Sequence, residues 1–297
     1  IVMPEMLRTI YYIFIRIQSR LFFWKKSRTI RIKDINLVVD SNDAGGQSYG
    51  SRASHEEYVN PLYSEISNFL TPTLIIDVGA NYGYTGLVFN KRFPDARTVL
   101  IEASAKLCSF IGSNFEGNDV SNYTVINAAC GGGGGEGVIS LNPKNSQDNR
   151  VEGLRGWKSQ AVPTVSLDKL LVDSDDRVFI KIDTQGYEEQ VFRGAEHFLS
   201  RSAEWIIKTE FAPYWLGQHG TNPITFLSHL AELYDVVELP SQNRLYGDSI
   251  ERFIQTPIKA SNCVEFVNHL ESRDVDRRGW CDLLILPKMA EQYSRSI

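Results

Sequence analysis

From residue 73 onward the chain alternates short, nearly unbroken apolar runs with longer segments whose apolar residues recur at helical spacing. The runs are TLIIDV (73–78), RTVLIE (97–102), YTVINAA (123–129), RVFIKID (177–183), EWIIKTEF (204–211), YDVVELP (234–240) and DLLILP (282–287). Rich in Ile, Val and Leu, they suit strands buried on both faces. Segments 83–92, 104–115, 186–200 and 222–233 read as helices between them. This alternation predicts an α/β fold with a doubly wound, mainly parallel, Rossmann-like sheet.

Upstream the pattern changes. Residues 28–40 alternate apolar and polar positions around Lys33 and Asp34, which predicts a β-hairpin. Residues 41–55, rich in Gly, Ser and Asn, read as a loop. Asn60 and Pro61 open a helix that carries Leu62, Ile66, Phe69 and Leu70 on one face and stops at Pro72. Residues 6–24 are rich in Leu, Ile, Tyr and Phe, but Arg8, Arg16 and Arg20 interrupt them, and Lys25, Lys26, Arg28 and Arg31 follow. No apolar run there approaches the ~20 residues that span a bilayer. No small-residue cleavage site follows, so a signal peptide is not expected. The segment is expected to be a helix packed on the domain with its arginines in water; a basic amphipathic helix touching a membrane surface is the second reading. The division expected is 1–55 for the helix and hairpin extension and 56–297 for the main domain.

Composition narrows the class. With 42% hydrophobic and 23% charged residues, the chain can bury a core without disulfides or metal. A net charge of −5 supplies no global field for nucleic acid. Cys108, Cys130, Cys263 and Cys281 form no C-x-x-C pair and read as reduced, mostly buried thiols of a cytoplasmic protein. The oligomeric state is left open.

Three segments carry chemistry. In LIIDVGANYGYTG (74–86), a strand ends at Asp77 and Val78, and a loop with Gly79 and Gly83 leads into a helix. Nucleotide-like ligands sit at such junctions. A carboxylate before the first glycine would repel a pyrophosphate, and the glycine spacing departs from G-x-G-x-x-G. A cationic, phosphate-free nucleoside such as S-adenosylmethionine suits Asp77 better. Glu102 ends the next strand, where an acid bonds ribose hydroxyls; its plainer reading is a surface residue at the start of a helix near Ser104. In FIKIDTQGYEEQVFRGAEHFL (179–199), Asp183 ends a strand facing the ligand crevice, and Gly186 permits a close turn. Glu188 and Glu189 suit the first turn of a helix. Asp183, Glu210 and His219 are the candidates for a general base, and the FAPYW segment after Glu210 is a candidate pocket wall. Asp183 with Glu210 could hold Mg²⁺ through oxygen ligands, but two carboxylates do not establish a divalent metal and none is assigned. Asp168 reads as a helix-start residue. Lys181 and Lys208, unusual inside strands, are expected to pair with carboxylates or to lie at a sheet edge.

The motifs IIDVGANYGYTG (75–86), VLIEAS (99–104), VINAACG (125–131), VPTVSLDKLL (162–171), FIKIDTQGYEEQVFRGAE (179–196) and IIKTEF (206–211) together resemble the FkbM family of methyltransferases over about residues 56–240. That resemblance implies a class I methyltransferase fold, S-adenosyl-L-methionine as cofactor, and O-methylation of a hydroxyl on a sugar, glycan or polyketide-like small molecule. By position it places Asp77, Gly79, Asn81, Gly83, Glu102 and Ala103 around the cofactor, and Asp183 and Glu210 toward the acceptor. The glycine run at 131–135 and the segment beyond 240 depart from the family pattern. The alternatives are a nicotinamide-dependent oxidoreductase, against which Asp77 and the glycine spacing argue, and an inactive nucleoside-binding module. Arg150, Arg155, Trp157, Trp215 and Arg244 would suit a sugar-like or anionic acceptor, or are plain solvated loop residues.

Overall fold

The structure is a computed structural model that describes residues 26–51, 69–151, 157–172, 175–201, 204–239 and 257–288. The helix expected at 6–24, most of the helix opened by Pro61, and Arg155 and Arg244 lie outside the described residues.

The apolar runs form the central sheet. Its strands are β3 (Leu74–Val78), β4 (Arg97–Glu102), β5 (Tyr123–Asn127), β10 (Val178–Ile182), β11 (Trp205–Phe211), β12 (Tyr234–Leu239) and β13 (Cys281–Pro287), in the order β12-β13-β11-β10-β3-β4-β5. All pairings from β11 to β5 are parallel, and β13 runs antiparallel between β11 and β12. Each of β3 and β10 is buried at every position, which is why each reads as an unbroken apolar run. One face presents Ile76, Val78, Ile180 and Ile207 to the layer that contains Phe198, Leu227 and Val267. The other presents Ile75, Leu100, Phe179 and Ile206 to Leu87, Phe89, Ile111 and Phe115. The fold is therefore a doubly wound α/β fold with two apolar layers on one sheet. Among the described residues no helix is long and apolar enough to cross a membrane.

The helices fall near their expected places. α2 (Tyr84–Arg92), α3 (Ala105–Gly117) and α8 (Pro223–Leu233) keep the read boundaries within two residues. The helix expected over 186–200 is two, α5 (Glu188–Arg193) and α6 (Glu196–Arg201), broken at Gly194. A Cβ on Gly194 would lie 2.5 Å from the Gly131 carbonyl, so this close approach demands glycine. Asp168 belongs to α4 (Leu167–Leu170), whose N-cap is Ser166. Its carboxylate instead accepts from the backbone N–H groups of His197 and Phe198, capping α6. Residues 41–51, expected as loop, include a short helix α1 (Ala44–Ser48) capped by Asp43.

A second sheet was not expected. β6 (Ala129–Cys130), β7 (Gly135–Leu141), β8 (Arg150–Val151) and β9 (Lys158–Val165) pair in the order β6-β9-β7-β8. Helices α7 (Pro213–Gln218) and α9 (Cys263–Glu271) were also not read from the sequence. The four cysteines are free; Cys130, Cys263 and Cys281 are buried.

The hairpin forms as expected, from β1 (Ser27–Ile32) and β2 (Ile35–Asp40). It is not a detached module: Ile32, Ile35, Leu37 and Val39 share one core with β3, α2 and α3. Asn114 on α3, fully buried, makes the polar connection. Its Oδ1 accepts from the Val38 N–H at 2.7 Å, and its Nδ2 donates to the Val38 and Tyr82 carbonyls at 3.1 and 2.9 Å. Asn114→Ala would remove the partner of the buried Tyr82 carbonyl, at roughly 1–3 kcal/mol, and of two part-buried Val38 groups, at less each. We expect a loss of about 2–4 kcal/mol in denaturant unfolding. A loss below ~1 kcal/mol would show that this link does not hold the hairpin.

Candidate active site

Strand register assembles the site. Asp77 on β3 pairs across with Lys181 on β10 and with Leu100 on β4, and Lys181 pairs with Lys208 on β11. These four occupy one row on one face of the sheet. Side chains repeat every second residue along a strand. The next row, at the carboxyl ends, therefore holds Gly79, Asp183, Glu102 and Glu210. Ligands of open parallel sheets bind at that edge.

Each member of the upper row has a local reason for its position. Gly79 has φ of +76°, and a Cβ there would lie 1.9 Å from the Asp183 carbonyl oxygen, so the turn admits only glycine. Its N–H donates to the Ile101 carbonyl at 2.9 Å. Asn81 is also left-handed, at φ +53°; asparagine tolerates this better than most residues. The turn is held by Glu102, which is 6% exposed. Its Oε2 accepts from the Asn81 N–H and its Oε1 from the Ser104 N–H, both at 2.8 Å. Burial pushes the Glu102 carboxyl up to about 7, against the pull of these two hydrogen bonds and of Lys181.

The second turn, 183–187, is wound around Glu188. Glu188 Oε1 accepts from the Thr184 N–H at 2.9 Å, the Thr184 hydroxyl at 3.0 Å and the Gly186 N–H at 3.2 Å. Glu188 stands in the first turn of α5, as expected, and, being buried, also organises this turn. Gln185, left-handed at φ +57°, donates from Nε2 to Asp183 Oδ1 at 3.0 Å and to Glu210 Oε2 at 3.4 Å. That strain, of order 1–2 kcal/mol, sits where a site holds its groups in place.

Beneath both turns lies Lys181. Its ammonium is 3.2 Å from Asp77 Oδ1, 3.6 Å from Asp183 Oδ2, and donates to the Gly79 carbonyl at 3.1 Å. Burial opposes its charge, but Asp77 and Asp183 outweigh burial and its pKa is raised. Asp183, its side chain 40% exposed, is the converse: burial opposes its charge, yet Lys181, Gln185 and Lys208 together lower its pKa. Glu210 is pushed well above the usual carboxylate range by burial and by the negative charge of Asp183. Lys208 pairs with Asp282 at 2.8 Å. Both strand lysines are thus paired, one of the two outcomes expected for them.

These groups line a cavity of about 260 Å³, near the ~300 Å³ lower bound of small-molecule sites. Glu102, Asp183, Glu210 and Asp282 face Lys181 and Lys208 across it, so carboxyl groups outnumber ammonium groups. The side opposite the sheet is built by Tyr49, Ser146, Gln147 and Asn149. Asp43 fixes this cover: it accepts from the Ser146 N–H at 2.9 Å and from the Tyr82 hydroxyl at 2.6 Å.

Of the residues singled out from the sequence, Gly79, Asn81, Glu102, Ala103, Asp183 and Glu210 line the cavity. Asp77, Gly83 and His219 do not. Asp77 is one row too deep and fully buried, with its charge met by Lys181. The acidity that a ligand meets therefore comes from Glu102, Asp183, Glu210 and Asp282 and not, as expected, from Asp77. Gly83 is the N-cap of α2, packed against Phe115 and Ile111. His219 ends α7 and lies behind Gly186, edge-on to Tyr187 and half-buried rather than exposed. The aromatic lining expected from the FAPYW segment comes instead from Tyr49, Tyr84 and Trp280; Tyr214 and Trp215 lie against arginines. Lys181, Asp282, Trp280 and the 146–149 cover were not in the candidate set. Among the described residues no group of three or more His, Cys, Asp or Glu side chains is placed to hold a metal ion.

Comparison with known proteins bears on this arrangement. The model of the methyltransferase FkbM domain matches residues 77–239, more than half of the chain and all of the turns above. Among solved structures, the chain resembles the methyltransferase FkbM from Methylobacillus flagellatus at 13% identity and TM-score 0.43, over 72% of this chain and 44% of that one. The chain thus spans less than half the length of that protein. A Podospora anserina methyltransferase solved bound to S-adenosylhomocysteine matches at 14% identity and TM-score 0.46, over 97% and 99% of the two chains. An O-methyltransferase from Bacillus cereus, also in complex with S-adenosylhomocysteine, matches at 12% identity and TM-score 0.36, over 78% and 80%. No curated protein matches the sequence. On the extent of the family match, with its motifs on both turns of the cavity, the chain belongs to the FkbM methyltransferase family.

Proposed function

We propose that this protein transfers the methyl group of S-adenosylmethionine to a hydroxyl of a sugar, glycan or polyketide-like small molecule. The observation that carries the reading is Glu102, a buried carboxylate at the end of β4 whose two oxygens are held by the backbone of the glycine turn and of α3. Each oxygen accepts one bond and keeps a second lone pair for a vicinal diol. The residues fit the cofactor: Gly79, Asn81 and Ala103 offer backbone and small side chains beside Glu102, and the carboxyl-rich wall suits a cationic ligand. Bound there, the cofactor supplies an electrophilic methyl group on a positively charged sulfur.

The chain's own residues then handle one proton. Asp183 and Glu210 share a hydrogen-bond donor in Gln185, but their environments drive their acidities apart. Such a split assigns roles. Asp183, held ionised by Lys181, orients the acceptor hydroxyl and is a weak base. Glu210, raised by burial and by Asp183, is the stronger proton acceptor once ionised. Glu102, Asp183 and Glu210 all lie at the carboxyl edge, so cofactor and acceptor meet across one cavity.

Three measurements test this. In calorimetry, Glu102→Ala is expected to weaken S-adenosylhomocysteine binding by ~1.5–3 kcal/mol and to erase discrimination against the 2′-deoxy analogue. Wild-type discrimination in a folded variant would remove Glu102 from the ribose. Product analysis should locate the new methyl on oxygen; methyl on nitrogen or carbon would overturn the acceptor class.

A third test concerns pH. A carboxyl whose pKa is raised on folding adds stability at low pH and loses it as pH rises through the folded value. Relative to its value at low pH, the unfolding free energy of Glu210→Gln should therefore gain on wild type as pH rises above the ordinary glutamate value, and the gain should level off above the raised folded value. The same substitution should abolish the rise of the methyl-transfer rate with pH, with a loss of ~10²–10⁴-fold at its plateau. A pH-independent stability difference, or an unchanged rate profile, would exclude Glu210 as the base.

A further inference from the structure

Trp280 is 58% exposed yet lines the cavity. A lone exposed apolar residue needs no explanation on an ordinary surface, but aromatic groups set among a few polar ones mark ligand sites. Among the described residues no ring or cation stacks on its indole. Strand geometry aims it. Trp280 immediately precedes β13, in which Cys281 pairs with Phe211 and Asp282 with Glu210. Side chains alternate along such a chain. Cys281 and Leu283 pack into the core on the far face, whereas Trp280, Asp282 and Glu210 all line the cavity. Trp280 thus stands one row beyond Glu210 and Asp282, on their side of the sheet. The backbone before it is packed as well: a Cβ on Gly279 would collide with the Leu270 carbonyl at the end of α9. The indole therefore stands out from a chain held on both sides.

Position and charge say what this side of the cavity takes. Glu102 ends β4, and the strand order puts β13 four spacings away, roughly 19 Å at ~4.8 Å each. A ribose on Glu102 leaves Trp280 beyond the few bonds that separate ribose from sulfonium, so Trp280 belongs to the acceptor's half. The charges of that half are already answered. Asp282 pairs with Lys208 at 2.8 Å, and Asp183 lies 3.6 Å from Lys181. Burial and the charge of Asp183 hold Glu210 toward its neutral form. Among the lining residues neither ammonium is left over for an anion, and no bare carboxylate is left over for a second cation. An uncharged ligand meets no penalty here, and an indole face gives it apolar contact.

We propose that Trp280 is the platform on which an uncharged, hydroxylated ring of the methyl acceptor stacks, its hydroxyls directed to Glu210 and Asp282. The C–H face of such a ring covers the indole while its rim keeps its hydrogen bonds, so both parts of the ligand are met. Trp280 and Asp282 lie beyond 77–239, so this wall is built outside the segment that matches the family. The ring site follows from Trp280 and its surroundings; that the ring accepts a methyl group rests on the methyl-transfer reading.

The test titrates the protein, with and without S-adenosylhomocysteine, with methyl glucoside and cyclohexanediol as uncharged rings, glucosamine and glucuronate as charged rings, and sorbitol as an open chain. At least one uncharged ring should bind about ten-fold tighter than sorbitol and than either charged ring, as one aromatic stack contributes. Trp280→Ala should erase that preference and Trp280→Phe should keep part of it, while both variants bind S-adenosylhomocysteine as the wild type does. Tighter binding of glucosamine or glucuronate, or no preference for a ring, overturns the proposal. So does a ring preference that survives in folded Trp280→Ala, and so does a loss of S-adenosylhomocysteine affinity in that variant, which would put Trp280 on the cofactor. A ring preference without binding of S-adenosylhomocysteine would leave this site standing and sink the methyl-transfer reading; the reverse result would sink this site alone.

Discussion

A lysine buried in a parallel strand has to be compensated, and that requirement organises the centre of this molecule. Lys181 is 7% exposed. Its ammonium touches the Asp77 carboxylate, the Gly79 carbonyl and the Asp183 carboxylate. Neither oxygen of Asp77 meets a well-aligned hydrogen-bond donor among the described residues, so Lys181 is what answers that charge. Breaking such a pair costs ~3–5 kcal/mol, because a bare charge stays behind. The same contact fixes the glycine turn of β3 to the end of β10 and keeps Asp183 ionised. Stability and chemistry are therefore drawn from one ammonium group.

The consequence is a graded set of carboxyl groups along one edge of the sheet. Asp183 lies nearest the cation and is lowered. Glu210, one strand further on, lies beside Asp183 and is raised. Glu102, on the other side, is raised to about 7 despite two backbone donors. Three acids of the same row thus differ in acidity, set by burial and by the charges beside each: Lys181 lowers Asp183 and opposes the rise of Glu102, while Asp183 adds to the rise of Glu210. A cationic ligand entering this cavity favours ionisation of all of them.

Much of this was legible in the sequence because the parallel sheet is buried on both faces. Its strands must be continuous apolar runs, and a charged residue at the end of one stands out, as Glu102, Asp183 and Glu210 do. What register decides was not legible. Asp77 and Gly79 are two residues apart, yet one is sealed below the turn and the other lines the cavity. Lys181 was visible as an anomaly, but its nearer carboxylate partner, Asp77, lies far away in the chain. The second sheet escaped because β7 and β9 are largely exposed and carry Gly137 and Pro163, which weaken a strand pattern. Asp168 looked like the cap of its own helix and serves another, a choice only tertiary contacts make.

The central claim is that Lys181 and Asp77 act as a unit. It is tested most directly by a double-mutant cycle of Lys181→Met and Asp77→Asn, read by denaturant unfolding. The account predicts that Lys181→Met alone loses ~3–5 kcal/mol and that adding Asp77→Asn recovers at least ~2 kcal/mol of it, since the second change removes the stranded charge. Additive losses, with no recovery in the double variant, would contradict it.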